Sequence, residues 1–536
     1  MLTTLIISFS FWDALNILWS VALIYTIKFY LTYFTRENPL PGPLPLPVVG
    51  NLLQLATAGD TSRWALQCQA KYGDMWEVYV GSIKYIWVAR ADLTDKIMDA
   101  SKTSNYFIRT PPNSGIAMLG ISSSGLAFNE DKDKWFFNRK IVVQAISSTK
   151  FIKQITEWIQ HEFIEMEGYI MELGFDEKAF NCASWVQRLV TDTIFVASMN
   201  KYACTLASLY NSHNPPKRAP YTRKTVEESD NFVHAMRTYF SSLDYFLFMP
   251  EFVRTKIPFG RRQTKMYMDN LHWLREVLTQ IIKEKREEVK NEQSELRPDL
   301  LTLMVTANTP RDVTQNIKTT VEEPLTTEEI GNCFIDLLVA GIDTTANLIC
   351  YILYYVIKNP EVKKRLQHEL DTIYGADPTR PITYEDLNKL VYIEAVIKET
   401  SRILPATALN IRTAERDDTI GGYPIKGGQQ IILSFAGIQN HPKHWPNPEQ
   451  FNPDRFLEPN VSKIERHSLP MFGGGLRMCP GKHMAMTEMK VVIAMVFRKY
   501  DPELATADTE MKFKRAMVNH CAELMLKFKP RTKTVH

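Results

Sequence analysis

The segment between Thr326 and Pro360 constrains the fold of this chain most, because it has to be one long helix with a protein packed around it. Thr326 and Glu329 form the sequence signature of a capping box, and Pro360 follows the other end. The intervening residues, about 33 of them at roughly 1.5 Å each, extend over on the order of 50 Å. The turns FIDLLVAGIDTTANLICYILYYVI are apolar on nearly all sides, which predicts a helix through the centre of the protein.

The middle of this helix contains residues that do not suit a purely structural core. Gly341 costs about 1 kcal/mol relative to alanine in a helix interior. A buried carboxylate at Asp343 costs more unless it has a partner. The Thr344 hydroxyl can bond back to the carbonyl of Ala340 and loosen the helix there. From the helix alone, a functional groove and a harmless polar stripe are equally good interpretations.

The rest of the chain after residue 50 is mostly helical in pattern, with strand-like stretches near 75–89 and 418–434. We therefore predict a mainly α fold with a small β portion. The length of 536 residues by itself favours two or three domains, and a net charge of +3 without a basic stripe argues against nucleic-acid binding. The seven cysteines include no CxxC pair, so neither a disulfide scaffold nor a structural zinc site is expected.

The N-terminal segment has the properties of a membrane anchor. Between residues 2 and 27 the only formally charged residue is Asp13, and roughly 20 apolar residues suffice to cross a bilayer. A cleaved signal peptide would begin with basic residues, whereas here Lys28 and Arg36 follow the apolar run. We predict an anchor over residues 1–38 that leaves the bulk of the chain in the cytosol. The alternative is an apolar helix packed on the protein itself.

A proline-rich stretch, PLPGPLPLP, follows this segment. Alternate prolines exclude a helix, because each one lacks an N–H and restricts the residue before it. We predict a stiff, extended connector over residues 39–50, followed by a catalytic domain over residues 51–536.

The most informative stretch is FGGGLRMCPG, residues 472–481. Its glycines let the backbone approach another group closely, and Cys479 comes just before an amphipathic helical run. A helix N-terminus favours an anion, and a thiolate is a strong ligand for iron. A lone cysteine is more often a small buried apolar residue, but here the surrounding sequence favours a ligand.

This stretch resembles the haem-binding loop F-x-x-G-x-R-x-C-x-G of the cytochrome P450 family. The five fixed positions are occupied by Phe472, Gly475, Arg477, Cys479 and Gly481. Four further family motifs are matched in the family's order, so the resemblance covers essentially the whole chain. They are the W-x-x-x-R element at 135–139, the oxygen-activating helix motif at 340–345, the E-x-x-R pair at 399–402 and a P-E-R-F-like element at 453–456.

The resemblance implies haem b as the cofactor, with Cys479 as its axial thiolate and metal ligand. It implies that Asp343 and Thr344 deliver protons, and that Glu399, Arg402 and Arg455 form a buried structural network. Arg412 is assigned to the propionates because it lies seven residues after Pro405. The complete set of implied cofactor-binding residues is Trp135, Arg139, Ala340, Gly341, Arg412, Phe472, Gly475, Arg477, Cys479 and Gly481.

The sequence departs from the family's commonest pattern at Ser401, Ala406 and Asp454. These changes concern packing and pocket shape rather than iron chemistry. The expected substrate pocket takes in Ala340, Thr344 and the segments 116–128, 406–409 and 517–518.

The function implied by the resemblance is a membrane-bound monooxygenase that inserts one atom of O2 into a hydrophobic lipid, sterol, terpenoid or xenobiotic. We expect a single-pass protein of the endoplasmic reticulum with a cytosolic catalytic domain. Because the chain shows no flavin or nicotinamide domain, electrons are expected from an NADPH–haemoprotein reductase, with cytochrome b5 as a further candidate partner. Positive side chains near the cysteine suit an acidic reductase surface; they are Lys134, Arg139, Lys140 and Lys482.

Two other functions remain open on the sequence. A haem-thiolate isomerase or dehydratase would rearrange peroxides without a reductase, and Asp343 and Thr344 argue against it. A non-catalytic haem-binding protein would have no use for the polar centre of the long helix.

Overall fold

Helices make up most of the described chain in this computed structural model, which describes residues 11–111, 114–213, 223–291, 296, 299–314, 323–375, 377–515 and 518–531. The helices are α1 (Phe11–Phe34), α2 (Leu52–Ala58), α3 (Thr61–Tyr72), α4 (Lys132–Ile146), α5 (Thr149–Glu172), α6 (Cys182–Met199), α7 (Thr205–His213), α8 (Arg223–Phe248), α9 (Glu251–Lys256), α10 (Pro258–Lys290), α11 (Leu300–Thr306), α12 (Thr327–Lys358), α13 (Pro360–Tyr374), α14 (Val391–Ile403), α15 (Phe435–Gln439) and α16 (Lys482–Lys499). The strands are β1 (Met75–Val80), β2 (Ile83–Val88), β3 (Phe180–Asn181), β4 (Leu409–Thr413), β5 (Asp418–Ile420), β6 (Tyr423–Ile425), β7 (Gln430–Ser434), β8 (Tyr500–Leu504), β9 (Lys512–Arg515), β10 (Asn519–Glu523) and β11 (Met525–Pro530).

The long helix α12 lies at the centre, and the prediction for it is confirmed. The Thr326 hydroxyl accepts from the Glu329 backbone N–H at 3.2 Å, and the Glu329 carboxylate accepts from the Thr326 N–H at 3.0 Å. This is the capping box that the sequence predicted. The helix packs against α6, α10, α14 and α16. Most of its residues are buried, as expected for a helix that is apolar on nearly all sides.

The β portion is small and lies beside the helices. One sheet has the strand order β1-β2-β7-β4, with β2 and β7 parallel and the other pairs antiparallel. The predicted strand-like stretches correspond to β1, β2 and β5–β7. No strand-like pattern predicted β3, β4 or the C-terminal strands β8 to β11. Strands β3, β11 and β8 form one sheet, and β10 pairs with β9. Strand β3 lies more than three hundred residues before its partner β11, and no local pattern reports such pairing.

No residue of helix α1 is buried. Its C-terminal end contacts the rest of the chain, where the Tyr30 hydroxyl donates to the Pro45 carbonyl at 3.3 Å and the Tyr33 ring packs against Tyr79. Its composition and its length of 24 residues are sufficient to cross a bilayer. The membrane anchor and the alternative of a helix packed on the protein both stay predictions, and residues 1–10 lie outside the described residues. One other described helix, α12, is as long and apolar, but 78% of its most apolar window is buried inside the protein.

The proline-rich connector runs along β1. The carbonyl of Pro41 accepts from the Glu77 N–H at 2.9 Å. Asn51 donates to the Pro43 carbonyl at 3.1 Å and accepts from the Tyr79 N–H at 2.8 Å. These hydrogen bonds fix the direction in which the chain leaves α1. The domain limits drawn at residues 38 and 50 remain predictions.

A buried ion-pair network joins α14 to the chain that leads toward Cys479. Arg402 donates to both carboxylate oxygens of Glu399, at 2.7 and 2.9 Å, and neither side chain is exposed. Arg455 reaches the same carboxylate at 3.3 Å. Arg402 also donates to the carbonyls of Gln439 and Gln450, each at 3.2 Å. The structure thus brings the three predicted residues together, with every charge facing a fixed partner.

Removing one partner of this network should destabilise the protein strongly. Arg402→Met leaves the Glu399 carboxylate buried without its guanidinium, which costs about 3–5 kcal/mol. We expect this decrease in the free energy of unfolding from urea denaturation followed by tryptophan fluorescence. Lys426→Met is the control, because the Lys426–Asp417 pair is exposed and its loss should leave the midpoint unchanged. Equal midpoints for wild type and Arg402→Met would contradict a stabilising role for the network.

Candidate active site

A cavity of about 290 Å³ lies between α12, α4, α16 and the loop that carries Cys479. Its walls are largely apolar, with side chains that include Ile194, Leu337, Leu348, Met471, Met484 and Met489. Parts of the expected substrate pocket line it, namely Leu126, Ala127, Ala340, Thr344, Ala406 and Thr407. Residue 517, which was also expected there, lies outside the described residues.

The Cys479 sulfur lies at this cavity, just before the first turn of α16. The Cys479 N–H donates to the Phe472 carbonyl at 2.9 Å, which closes the loop. Burial raises the pKa of the Cys479 thiol, although a hydrogen bond from the Gly481 amide and the positive charge of Arg139 oppose this. The sequence predicts that the helix N-terminus favours the thiolate, but the effect of burial on the thiol pKa is larger. A metal cation bound to the sulfur would supply the missing positive charge, because a coordinating thiol is deprotonated.

One face of α12 forms the opposite wall. Ala340, Gly341 and Thr344 line the cavity, and the Thr344 hydroxyl donates to the Ala340 carbonyl at 2.5 Å. This is the back-bond that the sequence predicted. The helix nevertheless continues as α-helix through these residues, so the groove consists of small side chains rather than of a break.

Asp343 faces away from the cavity, toward α6. Its carboxylate accepts from the Gln187 side-chain amide at 2.8 Å, and Gln187 in turn accepts from Arg237 of α8. Burial raises the pKa of Asp343, while His520, Gln187 and Arg237 act in the opposite direction. The two predicted proton donors, adjacent in sequence, therefore face different surroundings. The motif on α12 gave no sign of Gln187 or Arg237.

A cluster of arginines lies at one edge of the cavity, in which Arg412 and Arg477 are buried and Arg109 and Arg139 are half-buried. Arg109, Arg139 and Arg477 line it, and Arg412 is fully buried beside them, donating to Asn410 and to the Ile411 carbonyl. Burial lowers the pKa of Arg109 to about 10 and that of Arg477 to about 7, and repulsion between the guanidinium groups adds to both effects. Buried charges require partners of opposite sign. This edge of the cavity is thus suited to an anion.

The residues of the cavity fit haem b, the cofactor that the resemblance implies. Haem carries two carboxylates at one edge of a flat apolar ring, and the cavity combines apolar walls with cations at one edge. The Nε of Arg109 is buried and has no hydrogen-bond partner among the described residues, as expected for a group that serves a bound anion. The Cys479 sulfur offers the metal ligand.

Three implied cofactor residues have positions that differ from the expectation. The Trp135 indole lines the cavity but donates to the Leu126 carbonyl at 3.0 Å, so its N–H does not serve a propionate. Arg412 lies behind Asn410 and is not among the residues that line the cavity. Gly475 does not line it either. Gly475 has a φ of +64° and a Cβ there would lie 2.3 Å from the Asp99 carbonyl oxygen, so this glycine permits close packing of the loop.

The remaining implied residues lie as expected. Phe472 and Gly481 line the cavity on both sides of Cys479. Arg139 also donates to the Met478 carbonyl at 2.7 Å and so ties α4 to the cysteine loop.

Three ionisable residues that line the cavity were not predicted from the sequence: Arg109, Asp336 and Glu488. Arg109 lies in a segment without regular structure and belongs to none of the motifs. Glu488 is 2% exposed, and one of its carboxylate oxygens has no hydrogen-bond partner in the part of the chain that the structure describes. Burial raises the pKa of Glu488 well above its ordinary value. A carboxylate on an amphipathic helix normally indicates the solvent side, so composition alone could not place Glu488 inside.

Comparison with known proteins gives a consistent result. The family model described as Cytochrome P450 matches residues 40–528 of this chain. Ferruginol synthase of Salvia fruticosa is 24% identical over 488 residues, covering 90% of this chain and 92% of that protein. Steroid 17-alpha-hydroxylase/17,20 lyase of Cavia porcellus is 24% identical over 497 residues, covering 92% of each.

Other relatives are longer proteins. A self-sufficient cytochrome P450 monooxygenase of Oidiodendron maius (strain Zn) is 25% identical over 486 residues, which cover 89% of this chain and 41% of that protein. The chain thus spans about two fifths of the length of the self-sufficient relatives that it matches.

Arg109 provides a direct test of the arginine cluster. Arg109→Gln removes a buried cation from the edge of the cavity and should speed haem loss about tenfold, the order found when a residue that supports a bound metal group is removed. The rate is measured as transfer of haem to excess apomyoglobin. Arg90→Gln is the control, because Arg90 pairs with Asp74 and Asp92 near β2. Identical rates for Arg109→Gln and wild type would contradict this role.

Proposed function

Since the chain belongs to the cytochrome P450 family, we propose that it is a haem-dependent monooxygenase that inserts one oxygen atom of O2 into a hydrophobic substrate. The observation that carries the proposal is the cavity itself. It has the Cys479 sulfur on one side, the small residues and the Thr344 hydroxyl of α12 on another, and buried arginines at one edge. A haem ligated by a thiolate supplies the reduction and cleavage of O2 when it is bound.

The residues of the chain hold the cofactor and exclude water. Cys479 would ligate the iron, and Arg109, Arg139 and Arg477 would bind the propionates by charge-assisted hydrogen bonds. The apolar side chains around them keep the cavity dry, which strengthens every electrostatic interaction inside it.

Insertion of one oxygen atom releases the other as water, so the reaction consumes two protons and two electrons. Thr344 lines the cavity. Its hydroxyl donates its one proton to the Ala340 carbonyl, so it can accept a hydrogen bond from a water molecule in the cavity, or donate to a bound group once it rotates away from Ala340. Asp343 lies one residue away and is hydrogen-bonded to Gln187. A raised carboxyl pKa suits a group that gives up a proton near neutral pH. Asp343 thus supplies protons from the side of α6, and Thr344 passes them into the cavity.

The substrate we propose is a hydrophobic small molecule of the lipid, sterol, terpenoid or xenobiotic class. The support is the apolar lining contributed by α6, α12 and α16, since such pockets bind mainly by apolar contact. Two relatives are named ferruginol synthase and steroid 17-alpha-hydroxylase/17,20 lyase, but their names concern those proteins.

We further propose that α1 anchors the protein in the endoplasmic reticulum membrane as a single span, with the catalytic domain in the cytosol. The exposed apolar surface of α1 supports this, as do two exposed aromatic side chains of the body, Phe252 and Phe259, which are 64% and 75% exposed.

Electrons are proposed to come from an NADPH-dependent reductase. Some relatives carry a reductase in the same chain, among them a bifunctional cytochrome P450/NADPH–P450 reductase of Acremonium egyptiacum. Lys140 and Lys482 are exposed near the cysteine loop and suit an acidic partner surface. Lys134 contributes less, because it pairs with Glu329 at 3.0 Å. Cytochrome b5 is a further candidate for the same surface.

The identity of the iron ligand can be tested by exchanging it. Cys479→His should retain some haem but lose the red-shifted ferrous–CO band and the oxygenase turnover, because imidazole is neutral and donates less electron density than a thiolate. The measurements are a reduced carbon monoxide difference spectrum and product formation with NADPH and a reductase. A histidine variant that kept both signals would remove Cys479 from its assigned role. Turnover of wild type with a hydroperoxide but not with NADPH and reductase would favour the isomerase or dehydratase instead.

The proton route predicts a different defect. Thr344→Val keeps the shape of the side chain but removes its hydroxyl, and Asp343→Asn keeps the acceptor for Gln187 but removes the acid. In both variants we expect less product per NADPH consumed and more hydrogen peroxide, while the carbon monoxide spectrum stays that of wild type. The control is Thr156→Val on α5, because Thr156 is buried and makes the same kind of back-bond, to the Ile152 carbonyl at 2.7 Å, but does not line the cavity. Unchanged product yield per NADPH in both variants would rule out this route.

A further inference from the structure

One peptide unit in the loop before α4 connects α12 with the cofactor-binding side chains. The N–H groups of Leu126 and Ala127 donate to the same oxygen of Asp336, at 2.6 and 2.9 Å. The Leu126 carbonyl accepts from Arg477 and from the Trp135 indole, each at 3.0 Å. A single peptide therefore has the Asp336 carboxylate on its N–H side and two residues of the haem cavity on its carbonyl side.

The loop can reach Asp336 only because glycine precedes Leu126. Gly125 has a φ of +78°, and a Cβ at this position would lie 2.5 Å from the Asp336 carboxylate. The Gly125 carbonyl accepts from the side chains of Asn129 and Asn138, each at 3.3 Å. The loop is therefore hydrogen-bonded to Asp336 through its N–H groups and to two asparagine side chains through the Gly125 carbonyl, which fixes its contact with α12.

The charge of Asp336 matches its surroundings. The residue is 8% exposed and lines the cavity. Burial raises the pKa of Asp336 to about 6, whereas its two backbone hydrogen bonds and the charges of Arg109 and Arg477 act against this rise. Asp336 in turn opposes the lowering of the pKa of both arginines. A carboxylate here offsets part of the repulsion within the arginine cluster.

We propose that Asp336 is the positioning residue of the haem-propionate site: it orients the Leu126–Ala127 peptide so that its carbonyl holds Arg477 and Trp135, and it supplies local negative charge beside the arginines. This inference rests on the proposed haem-dependent function. Asp336 acts through the peptide and the arginines and does not belong to the residues that ligate iron or move protons.

Two substitutions separate the hydrogen bonds from the charge. Asp336→Asn keeps an oxygen that can accept from both N–H groups but removes the charge, whereas Asp336→Ala removes both. With purified full-length holoprotein, we expect haem transfer to apomyoglobin to be about tenfold faster than wild type or more for D336A, and intermediate for D336N. The reduction potential of the haem should rise in both variants, because loss of a nearby negative charge favours the reduced form.

Asn332→Ala is the matched control. Asn332 lies one turn before Asp336 on α12. Its side-chain amide donates to the Gly120 carbonyl at 3.3 Å and to the Ser124 hydroxyl at 2.6 Å, and so holds the same loop. Neither of these two bonds involves the Leu126–Ala127 peptide. N332A should destabilise the loop while leaving the reduction potential and the propionate bending bands in resonance Raman spectra as in wild type. D336A should shift those bands, because Arg477 loses its fixed orientation.

The outcomes distinguish this inference from the function on which it rests. Haem loss from D336A within twofold of wild type, or as fast from N332A as from D336A, would overturn the positioning role. If D336A does not accumulate as folded protein, the test rests on D336N. A haem reduction potential and propionate bands in D336N that both equal those of wild type would also overturn the positioning role. Wild-type protein without a thiolate signature in its carbon monoxide spectrum would instead overturn the proposed function.

Discussion

Four arginine side chains lie together, three of them lining the cavity and the fourth, Arg412, behind it, and they can remain there only beside negative charge. Arg477 is repelled by Arg109, Arg139 and Arg412, and burial makes that repulsion stronger. Backbone carbonyls and Asp336 reduce it, and the two carboxylates of haem b would complete the neutralisation when bound. The thiolate of Cys479 is the other negative group. Folding and cofactor binding are therefore parts of one electrostatic problem.

Helix α12 combines several different contacts. Ala340, Gly341 and Thr344 give the cavity a wall of small side chains. Asp343, the residue before Thr344, is instead hydrogen-bonded to Gln187 of α6 and is not among the residues that line the cavity. Two turns earlier Asp336 fixes the loop that holds Arg477. A helix buried on nearly all sides can do this because every face meets a different neighbour.

Residues close together in sequence were the ones that could be predicted. The capping box of α12, the Glu399–Arg402 pair and the back-bond of Thr344 each join residues three or four apart, a spacing that a helix converts directly into contact. Arg109, Asp336 and Glu488 could not be found in this way. Each lines the cavity together with segments that are distant in the chain. An ionisable residue is by default assigned to the surface. The same limitation hid the pairing of β3 with β11.

The sequence by itself determined the class of the fold, the central helix and the apolar N-terminal segment, because each follows from a local pattern of residue types, and the resemblance of the cysteine loop predicted Cys479 as the metal ligand. Only the tertiary structure decided how these parts serve the cavity. In the tertiary structure Asp343 is hydrogen-bonded to Gln187 instead of lining the cavity beside Thr344. The Trp135 indole donates to the Leu126 carbonyl, and Gly475 packs against the Asp99 carbonyl outside the cavity lining. The physical reason is that a hydrogen bond or a charge pair is short-ranged, so the direction of each side chain depends on which distant segment packs against it.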